Sequence, residues 1–97
     1  MQISFERSGG FAGMVMATDV DTANLPSEDA KHLRTLVEAA DFFRLPTTIA
    51  AAQPDRFQYQ ITVTDAGKVH SVSVDESVMP GTLRPLVDWL IQATRQR

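Results

Sequence analysis

Few side chains in this sequence suit covalent or acid–base chemistry, and their spacing keeps them apart. The histidines are His32 and His70. His32 falls beside an apolar stripe of helical spacing and reads as a solvated helix residue, because no second ligand stands at metal spacing. His70 falls opposite Val63 in an alternating segment and reads as a sheet-edge packing residue, since a base also needs a nucleophile and an orienting partner. Asp75 and Glu76 are neighbours in a strand, so their carboxylates point to opposite faces and form no dyad. Asp19 and Asp21 share one side of the chain, where solvation of a connector outweighs weak cation binding. Gly9, Gly10 and Gly13 form a G-G-x-x-G run between two strands, where no helix N-terminus awaits a phosphate. With no cysteine there is no thiol nucleophile, thiolate metal site or disulfide. The expectation is a non-enzyme without cofactor or metal.

Binding is better supplied. A Gly9-Gly10 pair between alternating segments predicts a two-residue hairpin turn, since primed turns need the positive φ that glycine adopts cheaply. Pairing Ser8 with Phe11 then sets Phe5 opposite Met14 and Ile3 opposite Met16, all four on one face. The same parity turns Phe11 to the other face with Ser8, Glu6, Ser4 and Val15, unless a bulge at Gly13 reverses it. An aromatic ring at an exposed tip is an interface anchor, or else it folds back over the sheet or onto the 46–56 loop. The Gln/Thr/Ser sheet face reads as solvated, although sheet faces and edges also dock partners.

Two hairpins and two helices position these residues. After the first hairpin, residues 19–26 read as a connector, and Ser27 as an N-cap followed by Glu28 and Asp29 in the first turn. Ala30, Leu33, Leu36, Val37 and Ala40 repeat at helical spacing, predicting a helix to about Asp41, with Phe42, Phe43 and Leu45 packing as it ends before Pro46. Residues 46–56 read as a loop. Phe57, Tyr59, Ile61 and Val63 alternate with polar residues, and a turn at Ala66-Gly67 opposes Ile61 to Val72 and Tyr59 to Val74. A second helix should start between Pro80 and Thr82, with Leu83, Leu86, Val87, Leu90 and Ile91 as its apolar stripe and Trp89 at the margin. The expected architecture is α+β: a four-stranded antiparallel sheet with two helices on one face, in the order ββαββα.

Ninety-seven residues make one domain, 1–97, and 43% apolar with 22% charged residues is a globular composition. A net charge of −3 argues against nucleic acid or an anionic membrane as partner. No apolar stretch approaches the ~18 residues of a membrane span. The opening residues 1–7 alternate in polarity without the basic start and apolar middle of a signal peptide, so a cytoplasmic location is expected.

Four segments carry a family resemblance: Phe5-Glu6-Arg7-Ser8-Gly9-Gly10-Phe11-Ala12-Gly13, Leu36-Val37-Glu38-Ala39-Ala40-Asp41-Phe42-Phe43, Asp55-Arg56-Phe57-Gln58-Tyr59 and Leu83-Arg84-Pro85-Leu86-Val87-Asp88-Trp89-Leu90. They resemble the emfourin family, small inhibitors of thermolysin-like metallopeptidases, the protealysin type in particular, typically bacterial and encoded beside the peptidase. The resemblance spans nearly the whole chain, and the stretch from Glu6 to Gly13 is its most specific part. It departs from the family pattern at 19–26 and 46–56. It implies a reversible, tight inhibitor that occludes the active-site cleft, a metallopeptidase as partner, and a monomer when free. Peptidases of that class cut before bulky apolar residues, so Gly10-Phe11 looks like a scissile pair and Ser8, Gly9, Gly10 and Phe11 are the candidate peptidase-binding residues. The alternative is a non-inhibitory protein–protein interaction module, which would leave the peptidase active. A small enzyme using His70 with Asp75 or Glu76 would need a formed pocket that the sequence does not signal.

Overall fold

The structure, a computed structural model, describes residues 1–9, 15–52 and 57–95. Strand β1 (Gln2–Ser8) pairs antiparallel with β2 (Met16–Asp21). Helix α1 (Ser27–Ala39) follows, then a two-residue strand β3 (Thr48–Ile49). Strands β4 (Gln58–Asp65) and β5 (Lys68–Asp75) form the second hairpin, and helix α2 (Arg84–Arg95) closes the chain. The described strands form one sheet in the order β2-β1-β4-β5-β3.

The alternation of each long strand explains its burial. Ile3, Phe5, Val20, Tyr59, Ile61, Val63, Val72 and Val74 point to one face and are buried there. Leu33 and Val37 of α1 and Leu86, Val87 and Leu90 of α2 join them in one core cluster, so both helices cover the same face as expected. The second hairpin has the expected register, with Ile61 opposite Val72, Tyr59 opposite Val74 and Val63 opposite His70. Its turn needs positive φ at Ala66 (51°) and Gly67 (81°), the pattern of a primed turn.

Four expectations need correction. The sheet has a fifth strand: β3, inside the segment read as a loop, runs parallel to β5, with Thr48 opposite Ser73 and Ile49 opposite Val74. Two residues are too short for an alternation to register in sequence. The first hairpin does not turn at Gly9-Gly10. Ile3 faces Val20 and Phe5 faces Thr18, a shift of four residues from Met16 and Met14, and the last pair is Arg7 with Met16. The shift is even, so the inward face is unchanged, and it buries Val20 and Thr18 against the core. Residues 19–21 are therefore strand, with Asp19 and Asp21 on its wet side, and the connection between β1 and β2 spans residues 9–15. Ser27 is the first residue of α1 rather than its cap; Pro26 holds that position and its carbonyl accepts from the Ala30 N–H at 3.0 Å. Helix α2 begins at Arg84, after a turn closed by Leu83 N–H to the Pro80 carbonyl at 3.0 Å, with Pro85 in its first turn.

Helix α1 ends as Asp41 takes a left-handed φ of 49°, a conformation that aspartate tolerates better than most residues. The chain then buries Phe42 and leaves Phe43 partly exposed. Truncating the core should be costly in proportion to burial. Ile61→Ala, at a site with 0% exposure, is expected to lower the unfolding free energy by ~2–5 kcal/mol, and Ser4→Ala, on the wet side of β1, to change it by ~0.5 kcal/mol at most. Urea unfolding followed by the fluorescence of Trp89, the chain's one tryptophan, reads both; equal effects would contradict this division of faces.

Candidate functional site

Strand directions bring three connections to one end of the sheet. Strand β1 ends there at Ser8, which pairs with Gln58 at the start of β4, and Gln58 pairs with Asp75 at the end of β5. The connections 9–15, 50–57 and 76–83 therefore leave side by side. Of the candidate binding residues, Ser8 is half-buried on the polar face and Gly9 has a φ of 104°, where a side chain would be strained. Gly10 and Phe11 lie outside the described residues, as do Met14, whose pairing was expected, and Gly13, where a bulge was considered. Val15 and Val78, in two of these connections, are exposed at 60% and 41%, giving this end some apolar surface.

Contacts that sequence reasoning missed brace this end. The Arg7 guanidinium lies over the Phe57 ring at 4.3 Å, tying the residue before Ser8 to the residue before β4. Phe5 stacks on Tyr59 with ring centroids 5.9 Å apart. The Tyr59 hydroxyl donates to Glu76 Oε1 at 2.9 Å, and Arg84 Nη1 stands 3.9 Å from the same oxygen. Asp75 Oδ1 accepts from the Ser77 N–H at 2.9 Å and the Ser77 hydroxyl at 2.7 Å, capping the 76–78 turn. That last contact had a sequence signal, an aspartate two residues before a donor at the end of a strand. The Arg7–Phe57 contact had none, because nothing in the sequence shows that β1 and β4 are neighbours.

The residues weighed for chemistry are engaged separately. His32 is exposed on α1. His70 Nε2 is 2.7 Å from the Leu45 carbonyl and the ring meets Phe42 edge-on at 5.7 Å, a packing residue on the part of β5 not covered by β3. It has no contact with Asp75, which points to the other face, or with Glu76, which serves Tyr59 and Arg84. No group of three metal-ligating side chains forms among the described residues. No described helix is long and apolar enough to cross a membrane. A concavity of about 940 Å³, lined by Asp19, Asp21 and Asp29 among others, follows the edge of β2 beside Trp89, away from the braced end.

What the geometry defines is a small α+β fold with three connections leaving one end of the sheet. The chain belongs to the Emfourin family, whose sequence pattern matches residues 5–91. No curated protein and no solved structure matches it significantly.

Two titrations test the bracing. Burial raises the Tyr59 phenol above its ordinary 10.0, the hydrogen bond and charge of Glu76 add to the rise, and Arg7 opposes it. A raised folded-state pKa contributes stability that is present below pH 10.0 and lost as pH climbs beyond it. Tyr59 is the chain's one tyrosine, so phenolate absorbance should show a midpoint above 10.0 that falls in Glu76→Gln; a midpoint at or below 10.0 in the unmodified protein would contradict the contact. The two Ser77 bonds hold the Asp75 carboxyl below its ordinary 3.8, so its contribution is present above pH 3.8 and lost as pH falls beneath it. Asp75→Asn should therefore flatten the fall in urea midpoint below that pH, and an unchanged acid limb would count against the cap.

Proposed function

We propose that this protein inhibits a thermolysin-like zinc metallopeptidase of the protealysin type, binding reversibly and tightly so as to occlude its active-site cleft. Membership of the Emfourin family is the observation that carries this reading. The segment from Ser8 to Phe11 enters the cleft, with Phe11 in the pocket just beyond the cleavage point, because such enzymes cut before bulky apolar residues. Support comes from the way β1 presents Ser8 and Gly9: a strand paired on both sides delivers them, and Arg7 on Phe57 fixes the last turn of backbone before them. A segment held this way at its base loses less ordering entropy on binding than a free peptide. Any contact with zinc is to the metal of the peptidase. The inhibitor acts as a monomer in a bacterial cytoplasm, a setting that the absence of cysteine fits.

Titration of a purified thermolysin-like peptidase with this protein, read on a small fluorogenic peptide, should show residual activity falling to a break at one-to-one stoichiometry. Phe11→Ala is expected to weaken inhibition by ~2–4 kcal/mol with the fold intact. Undiminished inhibition by that variant would remove Phe11 from the cleft but leave the inhibitor. A complex that forms while the peptidase stays fully active would replace the inhibitor with an interaction module.

A further inference from the structure

Beside the braced end, on the polar face of the sheet, lies a concavity of about 140 Å³. Its floor carries Glu6, Ser8, Gln58, Gln60, Ser73 and Asp75, and β3 with the residues after it forms one wall. This volume is below the ~300 Å³ at which small-molecule sites begin, and suits the end of one side chain. Asp75 is only 4% exposed. Its Oδ1 is satisfied by Ser77, whereas its Oδ2 is buried with no hydrogen-bond partner among the described residues. A carboxylate oxygen removed from water without a donor is costly, and Asp75 lines the concavity, so a donor entering there would offset that cost. The rest of the lining specifies what kind. Two carboxylates stand among the described lining residues, with amides and hydroxyls able to accept, and neither lysine nor arginine.

We propose that this concavity is a subsite for a guanidinium group, an arginine side chain of the protein against which this end docks. A guanidinium presents five donors in a planar fork, enough to reach the Asp75 carboxylate, the Glu6 carboxylate and a side-chain amide together. An ammonium is a compact point charge and spans them less well. The Ser73 hydroxyl and Gln60 Oε1 are 3.4 Å apart in an exposed, long hydrogen bond, so Gln60 yields to an entering group at little cost. The position matters as much as the chemistry, since Ser8 lines the concavity and also begins the segment proposed to enter the cleft. That the arginine belongs to a metallopeptidase rests on the function proposed above; the preference for a guanidinium does not.

The test has two arms. In the first, methylguanidinium chloride is titrated into the free protein and followed by amide NMR shifts, with tetramethylammonium chloride, which cannot donate, as the control. Saturable shifts at Gln58, Ser73 and Ser77 with methylguanidinium alone are expected, lost in Asp75→Asn and weakened a few-fold in Glu6→Gln. Non-saturating shifts, equal shifts with tetramethylammonium, or full binding by a folded Asp75→Asn protein would overturn the subsite. Glu6→Gln, at an exposed lining position, keeps the test open should Asp75→Asn unfold. In the second arm the same variants are titrated against the peptidase. Asp75→Asn should raise the half-inhibiting concentration at least about tenfold, and Glu6→Gln should reduce its dependence on salt. If the unmodified protein inhibits and both variants match it, the arginine subsite is wrong and the inhibitor stands. If the unmodified protein inhibits nothing while the first arm succeeds, the subsite stands and the peptidase is not its partner.

Discussion

The pairing of β1 with β4 is the constraint on which the rest depends. Seven consecutive residues, Gln2 to Ser8, pair with Thr64 to Gln58, partners fifty or more positions apart in the chain. Either hairpin alone would be marginal in water, since two strands bury too little to hold a fold. Joined, they place Ile3 between Val20 and Val63 and Phe5 between Thr18 and Ile61, so β1 is fixed from both sides. A slip of one residue would turn every inward side chain of β1 to water. The same pairing decides which connections meet, because it sets the end of β1 beside the start of β4.

Charge contributes little to holding this arrangement. The ion pairs Arg34–Asp65 and Arg44–Asp41 are exposed, with separations of 3.7 and 3.9 Å, the range in which surface pairs contribute least. Stability comes from the apolar layer between sheet and helices, and the braced end adds directional contacts to it: a ring under a guanidinium, a phenol on a carboxylate, a capped turn. The polar face takes no part in the core. On the proposed reading Glu6 serves recognition from an exposed position, whereas Asp75 does so with one oxygen while the other caps the 76–78 turn.

Elements long enough to show a period were legible in the sequence, and those set by partners distant in sequence were not. Tyr59, Ile61, Val72 and Val74 reveal the second hairpin because alternation and a tight turn agree. Leu33, Val37, Leu86 and Leu90 reveal two helices by the same reasoning. The first hairpin misled because its glycines satisfy a local rule while the register is chosen by burial: Val20 and Thr18 gain the core that Met14 and Met16 were expected to occupy. Asp19 and Asp21 looked like a connector for the same reason, since outward aspartates on an edge strand resemble loop residues in composition. Asp75 was weighed for catalysis and dismissed, and its burial with one unpaired oxygen was invisible, because burial at the end of a strand depends on what β3 and β4 bring beside it.

The two stretches expected from the sequence to depart from the family pattern, 19–26 and 46–56, separate by position among the described residues. Residues 19–21 close β2 and 22–26 follow its exit, at the end of the sheet marked by Met1, whose carbonyl accepts from the Thr22 N–H at 3.0 Å, far along β1 from Ser8. The second stretch contains β3, and its Ala50 and Ala51 line the polar concavity. Under the proposed function Ala50 and Ala51 share the concavity with Ser8, where the segment that enters the peptidase begins, so changes there alter what the end can dock against. Changes near residues 22–26 act on the packing of β2 and α1 instead. A sheet that sets these two segments apart in this way can adjust one surface without disturbing the pairing that holds β1 in place.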